Sequence, residues 1–494
     1  MNQYYQDNML FGMNPSSYLH RYAVNGKVSG NLACISEIKN AAVVLYSPRG
    51  CGFHYRCHVR SGQSPVYELE CADLRNNDVI FGGEKKLTAL LQKVEREQKP
   101  EIIFLLPSVV SDIINDDLAG LACSLQPQFK AKLVPITSQV FSHMDKVLRE
   151  KACQKQKQKF SSSAVYQGCG YVEVMDALVE QVMEPQRVQP RSVNIETFAW
   201  GYNGEDKLQS MSEMLQKMGI TVNAYLPAAD LQTIKKAPRA ALNIVRRKKW
   251  ALAMEQRFGT PFLHVADMQE WHGIEGISDL YRQIGKMLGC ENAVERVLQE
   301  EYERVAARYQ ELRADFAKYK FCLIAHGIAY LPDALRVYQQ DYGLPITKIC
   351  IIMNPSYQAE TGLDDAMMQR FKDRIELAKA EYGCDAEILL EPSEDALREA
   401  AQSCDFVICN GHPRYAALDV PVLYNLFDRS VWSYQGFVDI MEEVWQMLQQ
   451  PQRTGSNLLL SKLAYDPVFY PMREADKDSK ASRELYSRVW RQRK

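Results

Sequence analysis

Residues 192–226, SVNIETFAWGYNGEDKLQSMSEMLQKMGITVNAYL, carry the reading that decides the fold. The first run, 192–200, is apolar without strict alternation, the pattern of a strand buried on both faces. A polar stretch follows, then GEDKLQSMSEMLQKMG (204–219), whose apolar positions recur at helical spacing and which ends at Gly, the residue expected just past a helix C-terminus. ITVNAYL (220–226) is a second buried strand. A strand–helix–strand unit of this kind makes two parallel strands with the helix on one face of the sheet. The rhythm extends in both directions. AAVVLY (41–46), EIIFLL (101–106) and AKLVPI (131–136) precede it. ALNIV (241–245), PFLHV (261–265), KFCLIAHG (320–327), ITKICIIM (346–353), AEILLE (386–391), DFVIC (405–409) and VPVLY (420–424) follow. GLDDAMMQRFKDRIELAKAEYG (362–383) is another helix closed by Gly. The polar tract KACQKQKQKFSSSA (151–164) and the charged helix at 294–320 divide the strands into groups. The expected architecture is α/β, with three doubly wound (Rossmann-like) parallel-sheet domains at 1–165, 166–318 and 319–450, and a charged tail at 451–494.

Composition narrows the function. Of 494 residues, 46% are hydrophobic and 24% charged, as in a soluble globular protein. Lys+Arg 59 against Asp+Glu 61 gives a net charge of −2, so no global field invites nucleic acid or an anionic membrane. The first residues lack a basic start and an apolar run, and no stretch approaches the roughly 18 apolar residues of a membrane span. The expected setting is the cytoplasm, where the thirteen cysteines are reduced thiols or metal ligands rather than a disulfide framework. No Walker A pattern, no GxGxxG after a strand, and no HExxH, CxxC or GxSxG occurs. The cysteines are what remains as a chemical signal.

Residues 31–87 gather them. Cys51 follows strand 41–46 directly, in Ser47-Pro48-Arg49-Gly50-Cys51-Gly52. Pro and two Gly force a tight turn there and place the thiol at the strand's carboxyl end, where open parallel sheets bind ligands. Cys34 precedes the same strand and Cys71 follows in a polar connection. Three thiolates from separate loops suit an iron–sulfur cluster, although a buried free cysteine is also a common core residue. Cys322, Cys350, Cys404 and Cys409 lie in apolar stretches and read as core. Asp116-Asp117 reads as a helix cap.

The order of Cys34, the Ser-Pro-Arg-Gly-Cys-Gly turn and Val79-Ile80-Phe81-Gly82-Gly83-Glu84-Lys85-Lys86-Leu87 resembles the first domain of the nitrogenase component 1 family. PSVVSDIINDDL (107–118), the 192–226 unit, AALNIV, FGTPFL and HGIEGISDLYRQIGKMLG extend the resemblance along the chain. It implies a [4Fe–4S] or larger cluster at a subunit interface. It also implies a homodimer, or a heterotetramer with a paralogous subunit, that takes electrons from a separate ATP-dependent iron protein; an assembly scaffold or a non-cofactor partner subunit is the alternative. Cys34 and Cys51 match two of the family's three cluster cysteines, at shorter separation. The third falls near Ser108 or Val109, where there is no thiol. Cys71 is the candidate to replace it, with Cys57, Cys169 and an oxygen from Ser108 or Asp112 as weaker ones. If only two thiols per chain face an interface, a symmetric pair still supplies four. Nitrogenase's catalytic subunit holds its large cofactor through a Cys after the strand matching 241–245. Here Arg246-Arg247-Lys248-Lys249 follows that strand, with Arg247 in the Cys position. Dinitrogen reduction is therefore not expected. Arg247 and Lys248 become candidates for an anionic substrate or cofactor, or else a solvated helix start.

Overall fold

The structure is a computed structural model that describes residues 26–53, 69–108, 111, 116–136, 163–197, 204–265, 271–326, 331–352, 365–390, 392–409, 418, 420–424 and 432–449. Cys57, Val109, Asp112 and the tail at 451–494 lie outside the described residues. Among the described residues the strands form three sheets, and every pairing is parallel. In the first, β1 (Ala41–Tyr46), β2 (Glu70–Cys71), β3 (Ile102–Pro107) and β4 (Lys132–Pro135) run in the order β2-β1-β3-β4. In the second, β5 (Gln189–Glu196), β6 (Thr221–Leu226), β7 (Ala240–Val245) and β8 (Phe262–His264) run β6-β5-β7-β8. The third holds β9 (Phe321–His326), β10 (Ile346–Ile352), β11 (Glu387–Leu390), β12 (Phe406–Cys409) and β13 (Val422–Tyr424), ordered β11-β10-β9-β12-β13. In each sheet the chain winds outward to one side of the first strand and then to the other. The crevice at the strands' carboxyl ends therefore opens beside β1, β5 and β9.

The helices that position the site are α1 (Gly26–Glu37), α2 (Asn76–Phe81), α3 (Leu118–Leu125), α4 (Ser163–Gln181), α5 (Gly204–Lys217), α6 (Lys248–Phe258), α7 (Glu291–Phe316), α8 (Asp365–Glu381) and α9 (Glu394–Gln402). The central strand β3 is buried along its whole length, which explains its unbroken apolar run. α5 and α8 end as the sequence predicts, with Gly219 and Gly383 at positive φ. Asp117 caps α3, its carboxylate accepting from the Gly120 amide at 2.8 Å.

Alternate residues of β1 serve two cores. Ala42, Val44 and Tyr46 pack outward with Leu87 and Leu91, whereas Val43 and Leu45 pack against α1 and α4. That second core also takes in Leu226, Val245, Trp250 and Met254, so α1, α4 and α6 seal the first sheet to the second. α4 begins where the first domain boundary was expected, and its Tyr171, Met175 and Leu178 belong to this shared core. α7, the charged helix read at 294–320, buries Val305, Tyr309, Leu312 and Phe316 in a single cluster spanning the second and third sheets. Among the described residues no helix is long and apolar enough to cross a membrane.

Candidate functional site

Two polar places sit at the carboxyl ends of the first two sheets. The first is built from Cys51 and Cys71. Residues 49–53 coil into a helical turn straight after β1, with the Cys51 amide donating to the Pro48 carbonyl at 3.1 Å. Cys71, expected in a polar connection, instead lies on β2, paired in register with Leu45. A strand of two residues carries no hydrophobic pattern that a sequence reading could find. The Cys71 thiol lies 3.2 Å from the Ser47 hydroxyl and donates to the Ser47 carbonyl at 3.3 Å. A Cβ on Gly52 would fall 2.8 Å from Cys71 Cβ and 2.9 Å from its Sγ, so only glycine allows the turn to seat against that thiol. Both cysteines are partly exposed. Burial, and then the Cys71 sulfur, push the Cys51 thiol up from its usual value.

The same end of the first sheet carries exposed apolar side chains among polar ones such as Arg49 and Arg75. Phe53, Ile80 and Phe81 are 67%, 70% and 83% exposed, and α2 buries none of its residues. The Gly83 amide donates to the Tyr46 hydroxyl at 3.1 Å, which anchors the end of α2 at the carboxyl end of β1. Lys86 ties the start of the segment by bonding Asp78 at 2.6 Å and the Asp73 carbonyl at 2.9 Å. Ser108, just past β3, is buried, and its amide donates to the Ser111 hydroxyl at 2.6 Å.

The second place lies between β5, β7, α1 and α4. Glu196, fully buried at the end of β5, accepts from the backbone amides of Arg246 and Arg247 at 2.8 and 3.0 Å and from Trp250 Nε1 at 3.0 Å. Its other oxygen takes the Arg247 guanidinium. The carboxylate thus sits on the N-terminus of α6, where a helix favours an anion. The Arg247 guanidinium also stacks 3.8 Å above the Tyr171 ring. Arg247, a sequence candidate for holding an anionic ligand, is therefore occupied by an anion of its own chain, while Lys248 is exposed at the start of α6. Tyr171 donates to Glu37 at 2.9 Å, and Thr197 donates to the other Glu37 oxygen. Cys34 lies beside this network. It is fully buried in α1, and burial followed by the Glu37 carboxylate raises its thiol well above the usual range. Cys51, partly buried, packs against the apolar cluster that contains Cys34. Cys169 lies on α4.

Sequence reasoning did not single out Glu37, Tyr171, Thr197, Glu196 or Trp250. Glu196 carries a signal in retrospect, since a carboxylate at the end of an apolar strand requires a buried partner. Glu37 gives the network a pH dependence. Burial lifts its carboxyl from the ordinary 4.5 to about 7, against the bonds from Thr197 and Tyr171. An acid with a raised folded value contributes stability below its unfolded value and loses it as pH climbs through the folded one. Thermal midpoints should therefore fall between about pH 4.5 and about pH 7, and Glu37→Gln should remove that loss, about 3 kcal/mol across the window. Parallel melts of wild type and variant across this window check it.

Among the described residues no three His, Cys, Asp or Glu side chains are placed to hold a metal ion. What the chain offers to an iron–sulfur cluster is a pair of soft, partly exposed thiols with no side chain on the glycine between them and the turn. That donor set fits half of a four-thiolate site.

The sequence matches the family described as nitrogenase component 1 type oxidoreductase over residues 27–155 and 158–449. It is 26% identical over 292 residues to the nitrogenase iron-molybdenum cofactor biosynthesis protein NifE of Clostridium pasteurianum, covering 56% of this chain and 58% of that protein, so the match spans less than two thirds of that relative's length. The NifE of Nostoc sp. is 22% identical over 440 residues, covering 85% of this chain and 82% of its own. A light-independent protochlorophyllide reductase polypeptide of Angiopteris evecta is 21% identical over 330 residues, covering 65% of this chain and 60% of its own. In fold, the chain resembles the solved structure "Nitrogenase Cp1 at pH 6.5", with a TM-score of 0.54 at 15% identity, covering 86% of this chain and 89% of that one. With three parallel α/β sheets and a family match along most of its length, this chain belongs to the nitrogenase component 1 type oxidoreductases.

Proposed function

We propose that the chain is the cluster-bearing component of a nitrogenase-like, two-component reductase that takes electrons from a separate ATP-dependent iron protein. One observation carries this reading: Cys51 and Cys71 converge at the carboxyl end of the first sheet, the end that also carries the exposed Phe53 and, through the Gly83–Tyr46 bond, the helix with the exposed Ile80 and Phe81. Thiols at an end with exposed apolar side chains suit a site completed by a second family chain, with Cys51 and Cys71 of each chain supplying the four thiolates of a [4Fe–4S] cluster. Such a cluster supplies one-electron chemistry when bound. The chain's own part is to hold two sulfurs in a fixed pair, through the Gly52 contact and the Ser47 hydrogen bonds, and to exclude water with those apolar side chains. Arg247 has a structural role, as the internal partner of Glu196. The substrate would be met at the interface and is not dinitrogen in this reading.

The second reading, an assembly scaffold, is favoured by the relatives named as cofactor biosynthesis proteins. One experiment separates the two. The anaerobically purified protein is mixed with a nitrogenase-type iron protein and ATP, and reduction of its iron–sulfur signal is followed by electron paramagnetic resonance. Reduction that needs both additions supports the reductase. A cluster that stays unreduced but moves to an apo-acceptor protein supports the scaffold instead.

A further inference from the structure

The third sheet holds a group of sulfurs that the proposed cluster chemistry does not use. Cys322 on β9 and Cys350 on β10 lie on one face, with their Sγ atoms 3.9 Å apart. The register explains the approach: Cys322 pairs with Lys348, and Cys350, two residues on, returns to the same side. Cys404 sits in the turn ahead of β12, the strand paired with the other flank of β9, and packs in the same apolar cluster as Cys322. Its sulfur also lies 3.2 Å from the Thr347 hydroxyl and 3.8 Å from the Ser403 hydroxyl. Beneath α9 these thiols share an apolar cluster with Ile324, Leu397 and Val407. Cys322 and Cys350 are wholly buried, whereas Cys404 retains 8% exposure. The three are therefore graded, with one at the edge and two behind it. They are not a metal-binding group, since no such arrangement occurs among the described residues.

We infer that this cluster is a peroxide-responsive thiol relay in which Cys404 is oxidised first and Cys322 resolves it as a disulfide. The Cys404 sulfur attacks a hydroperoxide oxygen: an S–O bond forms, the O–O bond breaks, and water or an alcohol leaves. Cys322 then attacks the sulfenic sulfur, forming the S–S bond and releasing a second water that carries off its proton. Two thiols are oxidised by two electrons and one hydroperoxide is reduced. Cys350 can next attack the Cys322 sulfur and release Cys404, an exchange that needs no further oxidant. From 3.9 Å, its sulfur closes to bonding distance by moving about 2 Å. Hydrogen bonds from Cys322, Thr347 and Ser403, together with the Lys348 charge, hold the Cys404 thiol down, to about 6, which keeps it reactive near neutral pH.

The test uses the full chain, purified anaerobically and treated with hydrogen peroxide. Remaining thiols are alkylated and the digest is read by mass spectrometry. A peptide linking Cys322 to Cys404 or to Cys350, cleaved by dithiothreitol, is the expected result. Cys322→Ser should let Cys404 accumulate as a dimedone-reactive sulfenic acid, and Cys404→Ser should slow disulfide formation roughly tenfold or more. Recovery of all three cysteines of the wild type as free thiols would overturn the inference without reliance on any variant. So would Cys322–Cys350 formation at the wild-type rate in Cys404→Ser.

Discussion

Replacing Glu196 by alanine is expected to cost the protein about 3–5 kcal/mol of stability, the loss seen when one partner of a buried ion pair is removed. The magnitude follows from what the carboxylate satisfies. Glu196 is fully buried, and its absence leaves a guanidinium that is only 15% exposed without its anion. It also removes the acceptor for the Arg246 and Arg247 amides and for Trp250 Nε1, at the first turn of α6. A buried donor left without a partner adds its own desolvation penalty. Glu196→Gln, which keeps an acceptor oxygen and the side chain's volume but loses the charge, should cost distinctly less. Glu196→Gln combined with Arg247→Met should recover part of the single-variant loss, because the unpaired charge goes with its partner. Urea unfolding compares the midpoints, and hydrogen exchange of β5 and α6 amides shows whether the loss is local. A cost below about 1 kcal/mol for Glu196→Ala would mean that the carboxylate's bonds are replaced by water and that α6 is held by Trp250 and Met254 packing alone.

Much of this architecture was legible because strands buried on both faces have no reason to alternate. Val43–Leu45, Ile102–Leu106 and Ile349–Ile351 are apolar without a break, and each is central or next to central in a parallel sheet. Helix ends were equally readable, since Gly219 and Gly383 mark them by chemistry rather than by packing. The extent of β5 was read less well: the run 192–200 continues as apolar residues, but the strand runs from Gln189 to Glu196. Cys51 was placed correctly at the carboxyl end of β1 because Pro and Gly dictate the turn locally.

The partners of that turn were not legible. Cys71 reaches it through a two-residue strand, and the contact with Gly52 depends on how the connection between them is routed. The surroundings of Cys34 were not legible either. The residue is close in sequence to Cys51, yet α1 carries it into the core shared by the first two sheets, beside charges from Glu37, Arg247 and Glu196. The Glu196–Arg247 pair spans 51 positions and becomes visible only when β5 and β7 lie side by side. The same holds for Cys322, Cys350 and Cys404, each of which looks like core alone. Their convergence is a property of sheet order, which strand patterns do not encode.

Cys51 and Cys71 of this chain, proposed to hold an iron–sulfur cluster with a second family chain, should act as all or none. Two thiolates are half of a [4Fe–4S] site, so removing either sulfur from both chains leaves two ligands where four are needed. Cys51→Ala and Cys71→Ala should each lose essentially all bound iron and sulfide. Both should remain folded, because each thiol is partly exposed and neither closes the core. Cys34→Ala should keep its iron and pay instead in stability, by about 1 kcal/mol, as a small buried side chain is trimmed. The measurement is the iron and acid-labile sulfide content of anaerobically purified wild type and the three variants, with mass determined in solution. About four irons per pair of chains in wild type and Cys34→Ala, and near none in Cys51→Ala and Cys71→Ala, is the predicted result. Iron retained by Cys71→Ala but lost from Cys34→Ala, or a wild type without iron after co-expression with cluster-assembly proteins and any paralogous subunit, would contradict it.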